Sequence, residues 1–321
     1  MKVLVTGGSG LVGSSIKELV NLNPFIEVFG KGEHEFIFLN SKDCDLRNEQ
    51  QVDDLFNLNK PEIVIHLAAK VAGLYGNISN NYTMLVDNIK INTNVLEACR
   101  KYKIKRLINI LSSCVFPAAC RLPLTSDQID LGPPHNSNEG YSFSKRILST
   151  GSKLLSTYLE IEVVNLIPTN LYGFNDNFNL HDGHVLPVLI AKTYLAQKNN
   201  KPLIIKGLGE SYRQFMFSTD FAKIILHFVN CTLSQQFNQL IVGPPVEDEI
   251  TIKNLVNKIV KEFDFNGPVV YDSSFPEGQF KKTVSSNELL AYIPDFKFTQ
   301  LNVALKETIN YFIENYDTVR K

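Results

Sequence analysis

Three polar side chains in the middle of the chain have the types and spacing needed to move a proton to or from an oxygen atom. Tyr141 and Lys145 are four residues apart, so on a helix they lie on the same face. An ammonium beside a phenol favours the phenolate, and we therefore expect a lowered pKa for Tyr141. Ser112 follows a short apolar run at residues 107–111, which predicts a hydroxyl at the carboxyl end of a strand. A tyrosine and a lysine at this spacing are by themselves more often a surface pair, but the three groups together favour acid–base catalysis.

A glycine-rich turn follows the first apolar run of the chain. Residues 6–13 read Thr-Gly-Gly-Ser-Gly-Leu-Val-Gly, with glycines at positions where a turn must tighten and let a ligand approach the backbone. The free N–H groups at the start of the next helix can bind phosphate. The alternative is an ordinary tight turn between strand and helix. The pattern predicts a pyrophosphate site at Gly7, Ser9, Gly10, Leu11, Val12 and Gly13.

Short apolar runs alternate with amphipathic helical patterns along the first half of the chain. Strands are predicted at residues 3–6, 36–39, 63–67, 107–111 and 163–167, and helices near 12–22, 49–58, 80–102 and 142–160. Residues 117–140 and 172–187 have neither periodicity and are predicted to be long functional loops. This alternation predicts an α/β fold with a doubly wound parallel sheet of the Rossmann type.

The second half of the chain has a mixed pattern. Residues 237–242 are predicted to return to the main sheet as a strand, whereas 250–264 and 300–316 are predicted amphipathic helices. We therefore predict a nucleotide-binding domain formed by residues 1–172 plus about 220–246. The rest, about 173–219 plus 247–321, is predicted to form a smaller, C-terminal α/β substrate-binding lobe over the carboxyl ends of the strands.

Composition narrows the class of protein. The 321 residues carry a net charge of −1 and are 44% hydrophobic, which argues against binding to nucleic acid or to a membrane surface. No apolar run approaches the ~20 residues of a membrane span, and a strand starts at once, so no signal peptide is expected. The five cysteines are scattered without pairs. This favours a reducing, cytoplasmic setting and no metal site.

The order of the motifs resembles the extended short-chain dehydrogenase/reductase family. The shared features are the 6–13 turn, His66-Leu-Ala-Ala69, Ser112, Tyr141 with Lys145, and Pro168-Thr-Asn170. Residues 111–117, 133–138, 168–173, 182–187 and 278–283 are similar to the branch that epimerises and reduces a GDP-sugar. The resemblance implies NADPH-dependent 3,5-epimerisation and 4-keto reduction of GDP-4-keto-6-deoxy-D-mannose to GDP-L-fucose.

The resemblance also implies a role for two further side chains. Cys114 and His184 match the pair that removes and returns protons at sugar carbons 3 and 5, which the carbon 4 ketone makes acidic. Tyr141 would protonate the carbon 4 oxygen, and Lys145 would also bind the nicotinamide ribose. The alternatives are a small core residue for Cys114 and a loop histidine bonded to backbone for His184.

The end of the second predicted strand favours NADPH over NADH. Asn40-Ser-Lys42 contains no acid for a ribose hydroxyl, and Lys42 could contact a 2′-phosphate. Asp43 and Asp45 could serve NAD if the strand ended later, although the resemblance places Asp45 and Leu46 near the adenine. It also assigns cofactor contacts to Leu67, Ala68, Ala69, Pro168, Thr169, Asn170, Leu171 and His184.

The nucleotide-sugar side should offer cations to a diphosphate. The resemblance assigns this role to Lys192 and Arg213, and it adds Asn170, Val185 and Lys282 as substrate contacts. Glu277 stands where relatives usually have aspartate, and Lys206 stands where close relatives have tryptophan. Both departures affect the contacts of the base.

Two alternative functions and an oligomeric state are also predicted from the sequence. A nucleotide-sugar 4-epimerase or 4,6-dehydratase using NAD would have the same fold, although Ser113-Cys114 differs from the threonine and acid typical of dehydratases. A non-catalytic, NADP-sensing protein would typically lack the tyrosine or lysine. A homodimer is expected through a bundle of the helices near 80–102 and 142–160.

Overall fold

The computed structural model describes residues 1–22 and 34–321. Its strands and helices alternate through most of that length. In chain order they are β1 (Lys2–Thr6), α1 (Leu11–Leu22), β2 (Glu35–Phe38), α2 (Glu49–Asn59), β3 (Ile63–His66), α3 (Leu74–Lys101), β4 (Arg106–Ile110), α4 (Glu139–Leu159), β5 (Glu162–Pro168), β6 (Asn170–Tyr172), α5 (Val185–Lys198), β7 (Leu203–Lys206), β8 (Tyr212–Arg213), β9 (Phe215–Phe217), α6 (Ser218–Asn230), β10 (Phe237–Val242), β11 (Ile250–Thr251), α7 (Ile252–Glu262), β12 (Val269–Asp272), α8 (Asn287–Tyr292) and α9 (Leu301–Glu314).

A six-stranded sheet forms the larger part of the molecule. Its order is β10-β5-β4-β3-β1-β2, and every neighbouring pair is parallel. The inner strands are buried on both faces because helices cover both, which explains their continuous apolar sequences. The strand order reverses between β1 and β3, and ligands of such sheets bind outside the carboxyl ends at this point.

Two apolar clusters lie on opposite faces of this sheet. One joins the sheet to α2, α3 and α4 through residues such as Phe56, Val95 and Leu148. The other joins it to α1 and α6 through Ile16 and Phe221, among others. The doubly wound Rossmann fold predicted from the sequence is confirmed.

A third apolar cluster holds the smaller lobe together. It contains side chains of α5, α7 and α9, and they cover the parallel pair of β7 and β12. Two further short pairs are β6 with β9, which is parallel, and β8 with β11, which is antiparallel. Helix α8, by contrast, packs Leu289 against the main-sheet cluster. The exact domain boundaries stay a prediction.

The helix that precedes β4 starts earlier than the sequence pattern indicated. It begins at Leu74 and contains a non-helical residue, Asn80, at φ −126° and ψ 25°. Nothing in residues 1–22 and 34–321 forms a helix both long and apolar enough to cross a bilayer.

Candidate active site

The glycine-rich turn connects β1 to α1 with almost no space for side chains. Gly7 has a positive φ of 71°, and a Cβ there would lie 3.0 Å from the Ala68 nitrogen. A Cβ at Gly13 would lie 2.5 Å from the Gly7 oxygen. The turn therefore packs helix against strand closely; its Gly10 N–H donates to the Gly7 carbonyl at 3.0 Å, and Ser9 is exposed at the open end before the first turn of α1. This shape fits a pyrophosphate.

The carboxyl ends of β1 and β3 are joined by a buried hydrogen-bond network. His66 is within 2.9 Å of the Thr6 hydroxyl and 3.2 Å of Asn92 Oδ1. The Ala68 N–H donates to the same Thr6 hydroxyl. Burial, together with the nearby Lys145 ammonium, lowers the pKa of His66 to about 3. The network fixes the segment of Leu67, Ala68 and Ala69 beside the glycine turn.

The loop after β2 folds back on itself. The Lys42 N–H donates to Asn40 Oδ1, which leaves the Lys42 side chain exposed at the loop tip. Asp45 accepts hydrogen bonds from Arg47, and this contact lowers the pKa of Asp45. Leu46 is buried just behind. Arg47 is thus a second cation in this loop, and sequence reasoning missed it.

Ser112, Tyr141 and Lys145 come from the end of β4 and from the first turns of α4. Ser112 caps a single 3₁₀ turn, and its hydroxyl accepts from the Cys114 N–H at 3.3 Å. The side chain of Lys145 is 1% exposed and donates to the Ile110 carbonyl at 2.7 Å. Its Nζ lies 5.9 Å from the centre of the Tyr141 ring. Helix α4 and strand β4 together place the three groups.

The predicted lowering of the Tyr141 pKa is wrong for this chain. Burial, with a smaller effect from Cys114, raises the pKa of Tyr141 instead. Lys145 does not offset this, because its ammonium points at the Ile110 carbonyl and burial lowers its own pKa to about 8. The phenol therefore keeps its proton at neutral pH.

Cys114 lies next to this group and is only half buried. Its Sγ is 2.7 Å from Asn138 Nδ2 and 3.7 Å from Lys282 Nζ. Asn138 is the N-cap residue of α4, the helix that carries Tyr141, so the thiol and the phenol lie at the same end of that helix. These polar neighbours are unlike those of a core cysteine.

His184 stands at the N-terminus of α5, at the end of the long loop after β6. The loop packs on the start of α3, because the Gly73 N–H donates to the Asp182 carbonyl and a Cβ at Gly73 would lie 2.2 Å from the Gly183 oxygen. His184 is exposed at the surface of the chain, but the protein around its imidazole displaces water from the ring. This desolvation lowers the pKa of His184, and the charge of Arg320 lowers it further. Arg320, rather than Cys114 or Tyr141, is the charged group that acts on it.

The segment after β5 connects the two parts of the molecule. Asn170 donates from its N–H and from Nδ2 to the Gln214 carbonyl. Thr169 donates its N–H to the Val242 carbonyl, and its buried hydroxyl has no protein partner. Pro168 is buried and Leu171 half buried on either side. The segment is therefore fixed by backbone bonds and keeps one hydroxyl unused.

Three predicted substrate cations lie in the smaller lobe and one beside the thiol. Lys192 donates to the Ile204 carbonyl, and burial together with nearby Lys206 lowers the pKa of Lys192. Burial also lowers the pKa of Arg213, which donates to the Tyr212 carbonyl at 2.6 Å. Lys282 lies beside Cys114, and lysine and arginine side chains of this kind can bind the oxygens of a diphosphate. Val185, in the first turn of α5, is half buried close by.

Lys206 inserts its ammonium between two aromatic rings. Its Nζ lies 4.3 Å from the centre of the Tyr75 ring and 4.6 Å from that of Phe275. The two rings meet edge to face at 6.0 Å. Glu277 accepts from the Gly209 N–H at 2.7 Å and so holds the adjoining loop. The aromatic surface absent at position 206 is thus provided by residues of two other segments.

The comparisons with known proteins agree with this geometry. The model described as "NAD dependent epimerase/dehydratase family" matches residues 3–239. The chain belongs to that family. Its relatives include a GDP-L-fucose synthase of Dictyostelium discoideum, 40% identical over 99% of this chain and 97% of the relative. A probable GDP-L-fucose synthase of Drosophila melanogaster is 34% identical over 100% of this chain and 99% of the relative.

A solved structure supports the same relationship. The GDP-L-fucose synthetase of Naegleria fowleri bound to NADP superimposes with a TM-score of 0.90 at 36% identity, covering 100% of this chain and 95% of that one. The family that the sequence motifs indicated is therefore confirmed by both the sequence relatives and the solved structure.

Four residues around the candidate site were given no individual role from the sequence: Arg47, Tyr75, Asn138 and Phe275. Arg47 had a local signal, since it lies two residues from Asp45. The others reach the site through contacts between distant segments, such as Tyr75 with Phe275. No spacing in the sequence indicates such contacts.

Proposed function

We propose that this chain is an NADPH-dependent 3,5-epimerase and 4-reductase that converts GDP-4-keto-6-deoxy-D-mannose to GDP-L-fucose. The observation that carries the proposal is a half-buried phenol in the first turn of α4 and a half-buried thiol whose Sγ lies 2.7 Å from Asn138, the N-cap residue of the same helix. A 4-epimerase or a dehydratase has no need of a thiol there. The activity of the named relatives supports the same assignment.

The proposed chemistry divides between two groups of side chains. Cys114 and His184 exchange protons with sugar carbons 3 and 5, whose C–H bonds are acidic because the ketone stabilises an enolate. Tyr141 then donates its proton to the carbon 4 oxygen, which also accepts a hydrogen bond from Ser112. NADPH, when bound, supplies the hydride for carbon 4. The protonated state of Tyr141 suits its role as the acid.

The cofactor is proposed to lie along the carboxyl ends of β1, β2, β3 and β5. The closely packed glycine turn supports this, because a side chain at Gly13 would occupy the turn itself. Lys42, Asp45 and Leu46 would surround the adenosine, and Tyr141, Lys145 and His184 the nicotinamide. The remaining contacts are proposed for Ser9, Leu11, Val12, Leu67, Ala68, Ala69, Pro168, Thr169, Asn170 and Leu171.

The nucleotide end of the substrate is proposed to lie against the smaller lobe. Lys192, Arg213 and Lys282 would neutralise the diphosphate, and the aromatic pair around Lys206 would face the base. Glu277 would act mainly by holding the loop beside it, since it already binds the Gly209 N–H. Asn170 and Val185 would contact the substrate as well.

The decisive experiment gives the purified protein GDP-4-keto-6-deoxy-D-mannose and NADPH. We expect the absorbance of reduced nicotinamide to fall and NMR to identify GDP-L-fucose. A product that keeps its original configuration at carbons 3 and 5 would contradict the epimerase assignment. Tightly bound, oxidised NAD in the purified protein would favour the 4-epimerase instead. Equal catalytic efficiency with NADH would contradict the role of Lys42.

A homodimer in the cytoplasm is also proposed. Helix α4 exposes Phe143, Ile147, Leu154 and Tyr158 along one stripe, and the adjoining α3 exposes Tyr82. Apolar side chains at helical spacing on two packed helices support a four-helix interface across a two-fold axis. The five cysteines are free, in keeping with a reducing compartment. A monomeric mass at micromolar concentration would contradict the dimer.

A further inference from the structure

Asn138 makes an unusual use of its side chain. It is the residue at the N-cap of α4, where asparagine commonly accepts a hydrogen bond from the helix backbone. Here its side chain makes no such bond. Nδ2 lies 2.7 Å from Cys114 Sγ instead, and Oδ1 is buried without a partner. A side chain that gives up its capping role and leaves one oxygen unpaired needs another explanation.

The start of α4 is held by other groups. Asn81 accepts from the Gly140 N–H at 2.6 Å and donates to the Asn136 carbonyl at 3.1 Å. A Cβ at Gly140 would lie 2.1 Å from the Asn81 oxygen, so α3 and α4 touch at this point. The Asn138 carbonyl accepts from the Ser142 hydroxyl, which fixes its backbone. The amide of Asn138 is therefore free to act on the sulfur.

We propose that Asn138 is a positioning residue for Cys114, aiming the sulfur at the sugar and supporting both of its protonation states. The inference rests on the proposed function, in which Cys114 exchanges a proton with carbon. An amide has a donor and an acceptor. The N–H of Asn138 stabilises the thiolate. Rotation of the amide about its Cβ–Cγ bond turns the unpaired Oδ1 toward the sulfur, where it can accept from the S–H once the sulfur has taken a proton.

The proton balance of the step explains why both ends of the amide are needed. A C–H bond beside the ketone breaks, its proton goes to one member of the Cys114 and His184 pair, and its electrons enter the enolate. A new C–H bond then forms on the opposite face with a proton from the other member. The sulfur thus changes protonation state in each inversion. A neighbour that could only donate would favour one of the two states.

Lys282 approaches the same sulfur with a different interaction. Its Nζ is 3.7 Å from Sγ, so it acts mainly through charge, which fixes no direction. The amide contact at 2.7 Å is directional. We therefore assign charge compensation to Lys282 and the orientation of the thiol to Asn138.

Alkylation of Cys114 by iodoacetamide, followed by peptide mass spectrometry, tests the proposal without substrate. The thiolate is the reacting species. Losing a hydrogen bond to a charged group lowers the thiolate fraction about tenfold, but a less stabilised thiolate is also a stronger nucleophile, so Asn138→Leu should slow alkylation about threefold. Asn138→Asp should slow it more, because a carboxylate repels the thiolate. Cys231 serves as the internal reference.

The matched control is Asn81→Leu, which disturbs the start of α4 without removing a contact to the sulfur. We expect its Cys114 to alkylate at the unaltered rate. Equal slowing in Asn81→Leu and Asn138→Leu would mean that the helix start alone is responsible, and the proposal would be wrong. An unaltered rate in both Asn138 variants would also overturn it.

A second measurement uses the substrate. In deuterated solvent without NADPH, Asn138→Leu should lower the kcat of exchange at carbons 3 and 5 about tenfold with little change in KM. If the unaltered protein shows no exchange at all, the proposed function is wrong. The alkylation experiment still tests the contact between Asn138 and Cys114, because it uses no substrate. Exchange at the unaltered rate in Asn138→Leu would refute the positioning role.

Discussion

At the proposed reduction end of the site (Ser112, Tyr141 and Lys145), every group is anchored in the main sheet or in the helix packed on it. Lys145 is 1% exposed and bonded to the backbone of β4. At the proposed nucleotide end (Tyr75, Lys192, Lys206, Arg213 and Phe275), the groups come from segments far apart in the chain. Lys206 is held there by two rings rather than by backbone.

This difference separates chemistry from recognition. The reduction end needs fixed distances to a reacting atom, and groups on one strand and one helix supply them. The nucleotide end needs charge and surface area, which several combinations of side chains provide. A lysine between two rings can thus stand where relatives have tryptophan, without any change at the reduction end. Variants at the two ends should accordingly affect different kinetic constants.

The largest effect is expected from Tyr141→Phe, which removes the acid of the reduction end. Reduction should fall about 10³-fold, since acid catalysis by a positioned group contributes on this scale, while deuterium exchange at the sugar continues. The measurement compares NADPH oxidation with exchange in deuterated solvent. Tyr172→Phe is the matched control, because that phenol is buried with an unpartnered hydroxyl outside the site. Loss of both activities together would mean that the two steps do not separate.

Cys114→Ser should impair deuterium exchange at the sugar, the activity that Tyr141→Phe is expected to spare. Exchange at carbons 3 and 5 should fall about 10²-fold, because a hydroxyl is a much weaker base than a thiolate. Binding of NADPH, followed by its fluorescence, should not change. Cys120→Ser removes a half-buried thiol that bonds Gln128 and should leave exchange as it was. Undiminished exchange in Cys114→Ser would place the base elsewhere.

A smaller effect, on KM rather than kcat, is expected at the nucleotide end. Lys206→Met keeps the length of the side chain but removes the charge between the two rings, and KM for the GDP-sugar should rise about tenfold. Lys198→Met is the matched control, since Lys198 contacts the rings of Tyr194 and Tyr316 outside the site. A fall in kcat at constant KM would show that the two ends are coupled.

The sequence predicts the reduction end better than the nucleotide end for a physical reason. The glycine turn, the Tyr141–Lys145 spacing and the serine after β4 are local patterns, and the backbone periodicity places them. The Asn138–Cys114 and Lys206–Phe275 contacts depend on how loops fold over the sheet. The predicted lowering of the Tyr141 pKa was wrong for the same reason. Burial of the phenol raises the pKa, and burial is a property of the whole packed structure.

The smallest expected effect concerns the stability of the reduction end itself. Burial lowers the pKa of Lys145 to about 8 from 10.5, so above pH 8 the unfolded chain binds more protons there than the folded chain. Stability therefore rises with pH in this window, by about 1 kcal/mol between pH 8 and pH 9. Lys145→Met should lack this rise in urea unfolding curves. Lys192→Met, at the more open nucleotide end, should keep it. Identical slopes for Lys145→Met and the unaltered protein would mean that the buried ammonium carries no such cost, and the contrast between the two ends would then lose its energetic basis.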